Sequence, residues 1–217
     1  MSGYAIGGLT KQKIIAAAGE LAAEVGFDNI TTRMVADRSG ENIGSIHYHF
    51  GGKEGLFEEV VLAAFSGCQS KEDQKAMVLP PDTSCEELSR MIREIVKGEI
   101  TDMFRSDRPG WHVPVIYQLL QREDKLYTLF EEEILKPSME HLVAFFRLID
   151  PKMSDEDIHL HAMLMKMPVF GHADYMKTML RTLKMDRYSD AYLQRMEDLI
   201  VKQTQLVLGL PLDIQDT

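Results

Sequence analysis

Apolar residues recur every three or four positions along most of the chain, the spacing of one face of an α-helix. The first such stretch begins after Thr10, a candidate N-cap, and stops at Gly26. Its expected inner face is Ile14, Ala18, Leu21, Ala22 and Val25. Phe27 follows in the connection as a plausible core residue. Because no segment alternates convincingly in the manner of a β-strand, the pattern predicts an all-α protein.

Two short helical segments come next, separated by a glycine. Thr31 or Thr32 caps the first, which ends near Ser39 before the break at Gly40. The second spans residues 43–50 and is followed by two glycines. Its expected inner face, at positions i, i+3 and i+7, consists of Ile43, Ile46 and Phe50. A fourth helix then opens at Lys53 with Leu56, Phe57, Val60, Val61 and Ala64 as its apolar positions.

The texture changes after residue 68, where a polar stretch, 69–82, ends in Pro80-Pro81 and predicts a linker. Thr83 with Glu86, or Ser84 with Glu87, resembles a capping box for a helix to about Phe104. A further helix is expected to end at about residue 121, and another to span 125–149 with a kink or break at Pro137. The next helix should begin at Ser154 and be interrupted near Pro168 and Gly171, and the last should span 188–208. We therefore expect two domains, 8–68 and 83–210.

Composition narrows the function classes only slightly. The chain has 217 residues, two cysteines and a net charge of −10. Two distant cysteines are no disulfide framework, and the N-terminus lacks the pattern of a signal peptide, so we expect a cytoplasmic protein. No run of eighteen apolar residues occurs, which predicts no membrane contact. The first sixty residues contain five basic and eight acidic side chains, which by itself argues against a nucleic-acid partner.

The segment from Thr31 to Lys53 nevertheless predicts a DNA-reading pair of helices. Its second helix would present Asn42, Gly44, Ser45, His47 and Tyr48 outward. Small and hydrogen-bonding side chains on a short helix suit the major groove, since bulk would hold the helix away from the base edges. Thr32, Arg33, Tyr48 and Lys53 flank this surface and are candidates for phosphate contacts.

The same segment resembles the DNA-binding domain of the TetR family of transcriptional regulators over residues 8–68. The motif is T-T-R-x-V-A, then glycine, then I-H-Y-H-F-G-G-K-E-G-L. More narrowly, N-I-G-S-I-H-Y-H-F is similar to the CecR-like (YbiH-like) branch, and the region around Trp111, Pro137 and His159 is similar to its companion domain. The resemblance implies that Asn42, Ser45 and His47 approach bases and that Tyr48 and Lys53 anchor phosphates.

One residue departs from the wider family. Glu41 follows the turn glycine, where an apolar residue is usual. A carboxylate beside the recognition helix repels phosphate, so we expect weak non-specific DNA binding with few phosphate contacts. We expect one of the two histidines of this helix to pack against the first helix, and His49 is a better candidate for that role than His47.

The resemblance also implies a homodimer that pairs through the last two long helices, about 155–183 and 188–208. The candidate interface residues are Ile158, Met165, Tyr192, Met196, Leu199, Ile200 and Leu206. The alternative is that some of these residues pack within one subunit. Two recognition helices would then enter successive major grooves of a palindromic operator.

A small-molecule pocket in the C-terminal body is implied as well, for a hydrophobic or aromatic effector. The candidate lining is Met103, Phe104, Trp111, His112, Tyr117, Phe130, Met165 and Phe170. The alternative for each of these residues is that it is an ordinary core residue, which is the more common role for such side chains. We expect effector binding to release the operator, with the fourth helix carrying the movement, and we expect repression and no cofactor.

Two other classes of function stay open at this point. Glu156 and His159 form an E-x-x-H pair of the kind found in metal-binding helical-bundle enzymes, but only one such motif occurs. The chain has no nucleophile elbow, phosphate-binding loop or paired C-x-x-C, so we expect no enzyme. The acidic N-terminal balance instead motivates the second alternative, a protein-interaction module that no longer binds DNA.

Overall fold

The computed structural model describes residues 2–65, 80, 82–105 and 109–212, and within these ranges it contains helices and no strand. The prediction of an all-α fold is confirmed. The helices are α1 (Ser2–Val25), α2 (Thr32–Ser39), α3 (Ile43–Phe50), α4 (Lys53–Phe65), α5 (Cys85–Ile100), α6 (His112–Leu119), α7 (Lys125–Phe130), α8 (Lys136–Ile149), α9 (Asp155–Asp174), α10 (Met176–Leu183) and α11 (Asp190–Val207). Most of the linker predicted at 69–82 lies outside the described residues.

Two compact units divide these helices. The first consists of α1–α4 with α6 and α7, and the second of α5 with α8–α11. Segment 109–136, which the sequence assigned to the C-terminal region, thus packs with the N-terminal helices. The functional boundaries 8–68 and 83–210 stay a prediction.

The first unit has one core built from both of its chain segments. Ile14, Ala18 and Leu21 of α1 meet Phe57 of α4 and Phe130 of α7 there. Phe27, placed by a 3₁₀ turn after α1, is fully buried and meets Phe57 edge-on at a ring separation of 5.0 Å. Only the end of α1 differs from the expected inner face, because Val25 is exposed. Thr10 lies within α1 and does not cap it.

The second unit packs α5, α8, α9 and α11 around an apolar centre that includes Ile92, Phe146, Ile158 and Val201. A buried ion pair crosses it, in which Arg93 lies 3.1 Å from Glu197 and 2.7 Å from Asp198. Among the predicted capping boxes, Ser84 is the residue that caps α5, accepting a hydrogen bond from Glu87.

Of the two prolines expected to disturb helices, one follows a local change of helix type and the other leaves its helix unbroken. The helix that begins at Lys125 continues through a π-helical segment, Glu131–Leu135, directly before Pro137. A wider turn there accommodates the ring, which would clash with the carbonyl four residues earlier in a regular helix. Pro168 lies inside the unbroken α9, contrary to the expected interruption, since buried residues on both sides hold that helix to the core.

Candidate nucleic-acid interface

Local capping defines both helices of the predicted DNA-reading pair. The Thr31 hydroxyl accepts a hydrogen bond from the first turn of α2 at 3.2 Å, and Gly40 ends that helix with φ +72°. The Asn42 side-chain oxygen then accepts a hydrogen bond from the Ser45 N–H at 2.8 Å. Gly51, again with φ +72°, ends α3. One side-chain cap and one left-handed glycine therefore bound each of the two helices, α2 and α3, which are eight residues long.

The inner face of α3 differs from the predicted one. Ile46 is fully buried, as expected, but Phe50 is half-buried and Ile43 is 41% exposed. The core beneath α3 is met mainly at Ile46, because α3 rests on α1, α2 and α4 by one narrow face. Ile43 at the helix start therefore reaches past the edge of that contact.

The outer face of α3 carries four exposed residues, which we call the reading strip: Ile43, Gly44, His47 and Tyr48. Tyr48 is 85% exposed. Gly44 has a structural reason to be glycine, since a Cβ there would lie 2.9 Å from the Asn42 side-chain oxygen and disturb the cap. The strip is therefore open in its middle and hydrogen-bonding at its C-terminal end.

The other predicted DNA contacts lie around this strip. Arg33 is exposed on the first turn of α2, with Thr32 half-buried before it, and the half-buried Lys53 opens α4. Ser45 is half-buried, and its N–H is already used by the cap. The side-chain oxygen of Asn42 accepts the hydrogen bond of that cap, and its amide NH2 group remains available to donate hydrogen bonds to DNA.

The two histidines of α3 occupy different environments. His47 is exposed, whereas His49 is half-buried and lies near Gly7 of α1, where a Cβ would come within 3.9 Å of its ring. His49 also meets the ring of Tyr48 edge-on at 5.0 Å. The packing alternative therefore describes His49 and not His47, which keeps His47 as a base-contacting candidate.

Ion pairs occupy most of the cations of this domain. The pairs are Lys11–Glu59 at 2.7 Å, Lys13–Glu41 at 3.5 Å and Arg38–Glu24 at 2.8 Å. Arg38 also holds the pKa of the Glu24 carboxyl below its ordinary value through this hydrogen bond. Arg33 and Lys53, in contrast, form no ion pair with the residues of 2–65 or of the other described ranges, although the charge of Lys53 contributes to lowering the pKa of Asp28. Lys53 instead lies 5.2 Å from the centre of the Phe57 ring.

The predicted pocket residues are divided between the two units. Trp111, His112, Tyr117 and Phe130 belong to the first, and Met103, Phe104, Met165 and Phe170 to the second. Trp111, His112, Phe130 and Met165 are buried in the cores, as the alternative of ordinary core residues states. Tyr117 alone among the eight lines a described cavity, an open one of about 830 Å³ in the first unit.

Arg122 lines that cavity together with Asp28, Gln118 and Asp124. The Arg122 guanidinium hydrogen-bonds to Asp28, 2.9 Å away in the connection after α1, and to Asp124 at the start of α7. These hydrogen bonds lower the pKa of both carboxyls. Gln118 adds a hydrogen bond to the backbone carbonyl of Ala22 at 2.6 Å. The turn after α6 is thereby fastened to the turn after α1.

An aromatic cluster in the second unit was missed by the sequence analysis. Tyr188 stacks on Tyr192 at 5.1 Å and meets Phe104 edge-on at 5.3 Å. His172 lies beside them, with its Nε2 3.0 Å from the Tyr192 hydroxyl and its Nδ1 2.7 Å from the Pro168 carbonyl. Burial raises the pKa of Tyr188. Only Phe104 was a pocket candidate, because nothing in the spacing of these residues indicates that they meet.

The predicted dimer residues also separate into two groups. Ile158, Met165, Met196 and Ile200 are buried within the second unit, which corrects their assignment to a surface. Tyr192 is half-buried, and only Leu199 and Leu206 are exposed. The apolar residues of α9 that do face solvent are Leu160, Met163, Leu164 and Met167. Helical periodicity had indicated an apolar face but could not tell the core side from the outer side.

The structure gives no support to the alternative of a metal-binding enzyme. His159 Nδ1 lies 2.7 Å from the Asp155 carbonyl of its own helix. No group of three or more potential metal ligands occurs among the described residues. In the same part of the chain, no helix is long and apolar enough to span a bilayer.

Two capped short helices joined by a glycine turn, supported by α1, define a helix-turn-helix DNA-binding domain. The model of the family described as bacterial regulatory proteins, tetR family, matches residues 14–60. The HTH-type transcriptional dual regulator CecR of Shigella flexneri is 26% identical over 166 residues, which are 71% of this chain and 72% of CecR.

Solved structures share the whole architecture. A transcriptional regulator from Rhodococcus sp. Rha1 has a TM-score of 0.59 at 17% identity, covering 95% of this chain and 99% of that one. SmeT, the repressor of the multidrug efflux pump SmeDEF of Stenotrophomonas maltophilia, has a TM-score of 0.57 at 15% identity, with 91% and 89% covered. At these identities the likeness concerns the fold.

Residues 14–60 therefore carry a TetR-type DNA-binding domain, and most of the chain is similar to a regulator of that kind. The curated relatives are described as transcriptional regulators, which agrees with the predictions of a DNA-binding regulator and of no enzyme. One relative to which the chain is similar is CecR, in line with the branch that the recognition-helix motif indicated.

Proposed function

We propose that this protein is a repressor that binds a palindromic operator as a homodimer and leaves it when a small hydrophobic or aromatic effector binds. The reading strip of α3 is the observation that carries the proposal. It is capped at both ends, open at Gly44 and hydrogen-bonding at His47 and Tyr48. Such a surface fits the major groove, and two of them are needed for operator-level specificity.

The homodimer is proposed on the exposed apolar faces of the second unit. Leu160, Met163, Leu164 and Met167 repeat at i, i+3, i+4 and i+7 of α9 and so form one stripe. Leu199 and Leu206 repeat at i and i+7 of α11. Leu160 is 62% and Leu199 is 69% exposed, a large apolar exposure for helices otherwise packed in a core. A second copy of the same faces would bury both in a four-helix contact.

The oligomeric state tests this part directly. Light scattering at micromolar concentration is expected to give twice the chain mass. Leu164→Glu places a charge in the stripe and is expected to give monomers. Leu62→Glu, a matched change of an exposed leucine on α4 of the first unit, is expected to leave the dimer intact. Monomers of the unaltered protein, or dimers of Leu164→Glu, would refute the proposed interface.

The effector is proposed to be hydrophobic or aromatic because the second unit contains a cluster of aromatic side chains. Phe104, Tyr188, Tyr192 and His172 bring aromatic faces together with polar handles in the second unit. An effector that binds better when the operator is absent must weaken operator binding by the same factor. One protein with this fold, SmeT, carries the description of an efflux-pump repressor, whereas CecR is described as a dual regulator.

Selection from a random pool of duplex DNA tests the DNA-binding core of the proposal. An enriched palindrome with half-sites about one helical turn apart is the expected result. Failure to enrich any sequence would favour the interaction-module alternative. A reporter fused to the selected operator is expected to lose expression when the protein is present; increased expression would contradict repression while leaving operator binding intact.

A further inference from the structure

Ile43 combines an apolar side chain with an exposed position at the start of the recognition helix. It is the first residue of α3, directly after the Asn42 cap, and is 41% exposed. The rest of the reading strip is glycine, imidazole and phenol. Ile43 is therefore the one residue of the strip that presents a side chain without any polar atom.

The helix geometry leaves Ile43 unobstructed toward a bound duplex. Residues four apart lie one above the other, so Ile43 heads the row that continues to His47, and Gly44 heads the adjacent row to Tyr48. Because Gly44 has no side chain, nothing on that row stands in front of Ile43 at the N-terminal end. The N-terminal residues of a recognition helix are those that contact base edges.

The chemistry of the groove determines what such a side chain can recognise. All four bases present hydrogen-bonding groups there, and the one methyl group is that on C5 of thymine. Covering a polar edge with isoleucine leaves that edge without a partner, which is unfavourable. Against thymine, the same side chain buries apolar surface on both molecules.

We propose that Ile43 is a specificity-determining residue that recognises the C5-methyl group of one thymine in each operator half-site. The inference rests on the proposed operator binding and adds a named contact to it. Arg33 and Lys53 lie beside the strip. Together with Tyr48 at its C-terminal end, they are candidates for contacts to the DNA backbone, which set the register and carry no sequence information. The discrimination assigned to Ile43 is therefore separable from theirs.

Deoxyuracil gives the sharpest test, because it differs from thymine only by the missing methyl group. Each thymine of the selected operator is replaced in turn, symmetrically in both half-sites, and binding is measured at one fixed salt concentration. Losing the burial of one methyl group weakens binding by about four-fold per half-site, so on the order of ten-fold for the whole operator. The unaltered protein is expected to show this loss at one thymine position assigned to Ile43.

Variants then connect that position to the residue. Ile43→Ala is expected to bind thymine and uracil operators equally at this position while responding normally at every other thymine. Ile43→Val shortens the side chain by one methyl group and is expected to show an intermediate response, which keeps the test valid if the alanine variant binds too weakly. Leu62 of the same unit matches Ile43 in size and is also 41% exposed. Leu62→Ala is therefore expected to respond to uracil as the unaltered protein does.

The outcomes separate the inference from the proposed function. If the unaltered protein enriches no DNA sequence, operator binding itself is refuted. If it binds an operator but responds to uracil nowhere, or if both Ile43 variants retain its full response at every position, the assignment to Ile43 is refuted and operator binding stands. Thermal melting of each variant, expected to match the unaltered protein, shows that the domain remains folded.

Discussion

The contact between Gly19 and Trp111 fastens α6 to α1, and it can be tested by adding one methyl group. Both residues are buried, and a Cβ on Gly19 would lie 2.4 to 2.6 Å from three carbons of the indole ring. Carbon atoms in contact are normally about 3.5–4.0 Å apart. Gly19→Ala therefore requires the ring or helix α1 to move by roughly 1 Å in a filled core.

The size of the effect follows from two opposing contributions. Overpacking of a core costs about 1–3 kcal/mol, and a rigid buried ring places this case at the upper end. Alanine is better than glycine inside a helix by about 1 kcal/mol. We therefore expect Gly19→Ala to lower the free energy of unfolding by about 2 kcal/mol, which corresponds to a midpoint decrease of roughly 4–8 °C.

The same helix supplies a matched control. Gly8 also lies in α1, but a Cβ there meets nothing within 4 Å. Gly8→Ala is expected to leave the free energy of unfolding unchanged or raise it by up to about 1 kcal/mol. Of two identical substitutions in one helix, only Gly19→Ala should thus lower the free energy of unfolding.

A double-mutant cycle identifies Trp111 as the origin of the penalty. Trp111→Ala removes the ring at a cost of about 3–5 kcal/mol, and in that background Gly19→Ala should cost nothing. Urea unfolding followed by circular dichroism measures all four proteins. Trp111 is also the single tryptophan of the chain, so its fluorescence reports the contact wherever it is retained. An equal penalty with and without Trp111 would refute the reasoning.

Three further predictions concern charge. Arg33→Gln is expected to weaken operator binding, whereas Arg38→Gln is expected to change it little, because Arg38 is already paired with Glu24. Fluorescence anisotropy measures operator binding by both variants, and equal losses of affinity would contradict the difference in pairing. A titration of binding against salt should give a slope of about −4, from about four phosphate contacts per dimer, and release of ten ions would exclude so few contacts. Arg122 lowers the pKa of Asp28 below its ordinary value of 3.8, so their interaction stabilises the fold above that pH and is lost as the pH falls through the lowered value. In acid unfolding, Arg122→Gln should therefore be less stable at the start, and its stability should decline less steeply below about pH 4. Parallel curves for the variant and the unaltered protein would contradict this.

The helix-turn-helix was predictable because its boundaries are local. The threonine cap and the glycine break act within a few residues of each other, so Thr31 and Gly40 indicated the first short helix from sequence. Asn42 was predicted only as a base contact, and the structure shows that it also caps α3. The buried row of α4 followed equally well from helical spacing.

The inner and outer faces were less predictable where a helix has unequal contacts. Ile43 satisfies the spacing of a core residue, yet the neighbouring helices do not extend far enough to cover it. Conversely, Met196 and Ile200 were expected on a surface and are buried, because α5 and α11 pack tightly there. Periodicity defines a face but does not say which of two sides meets the core.

From the sequence alone came the all-α class, the pair of short helices and the resemblance to the TetR family, since all three depend on residues close together in the chain. Tertiary structure alone decided which cations are already paired, that Trp111 packs on Gly19, and that Ile43 stays exposed. Those facts depend on residues distant in sequence, such as Lys13 and Glu41, whose meeting is determined by the packing of whole helices and not by any local pattern.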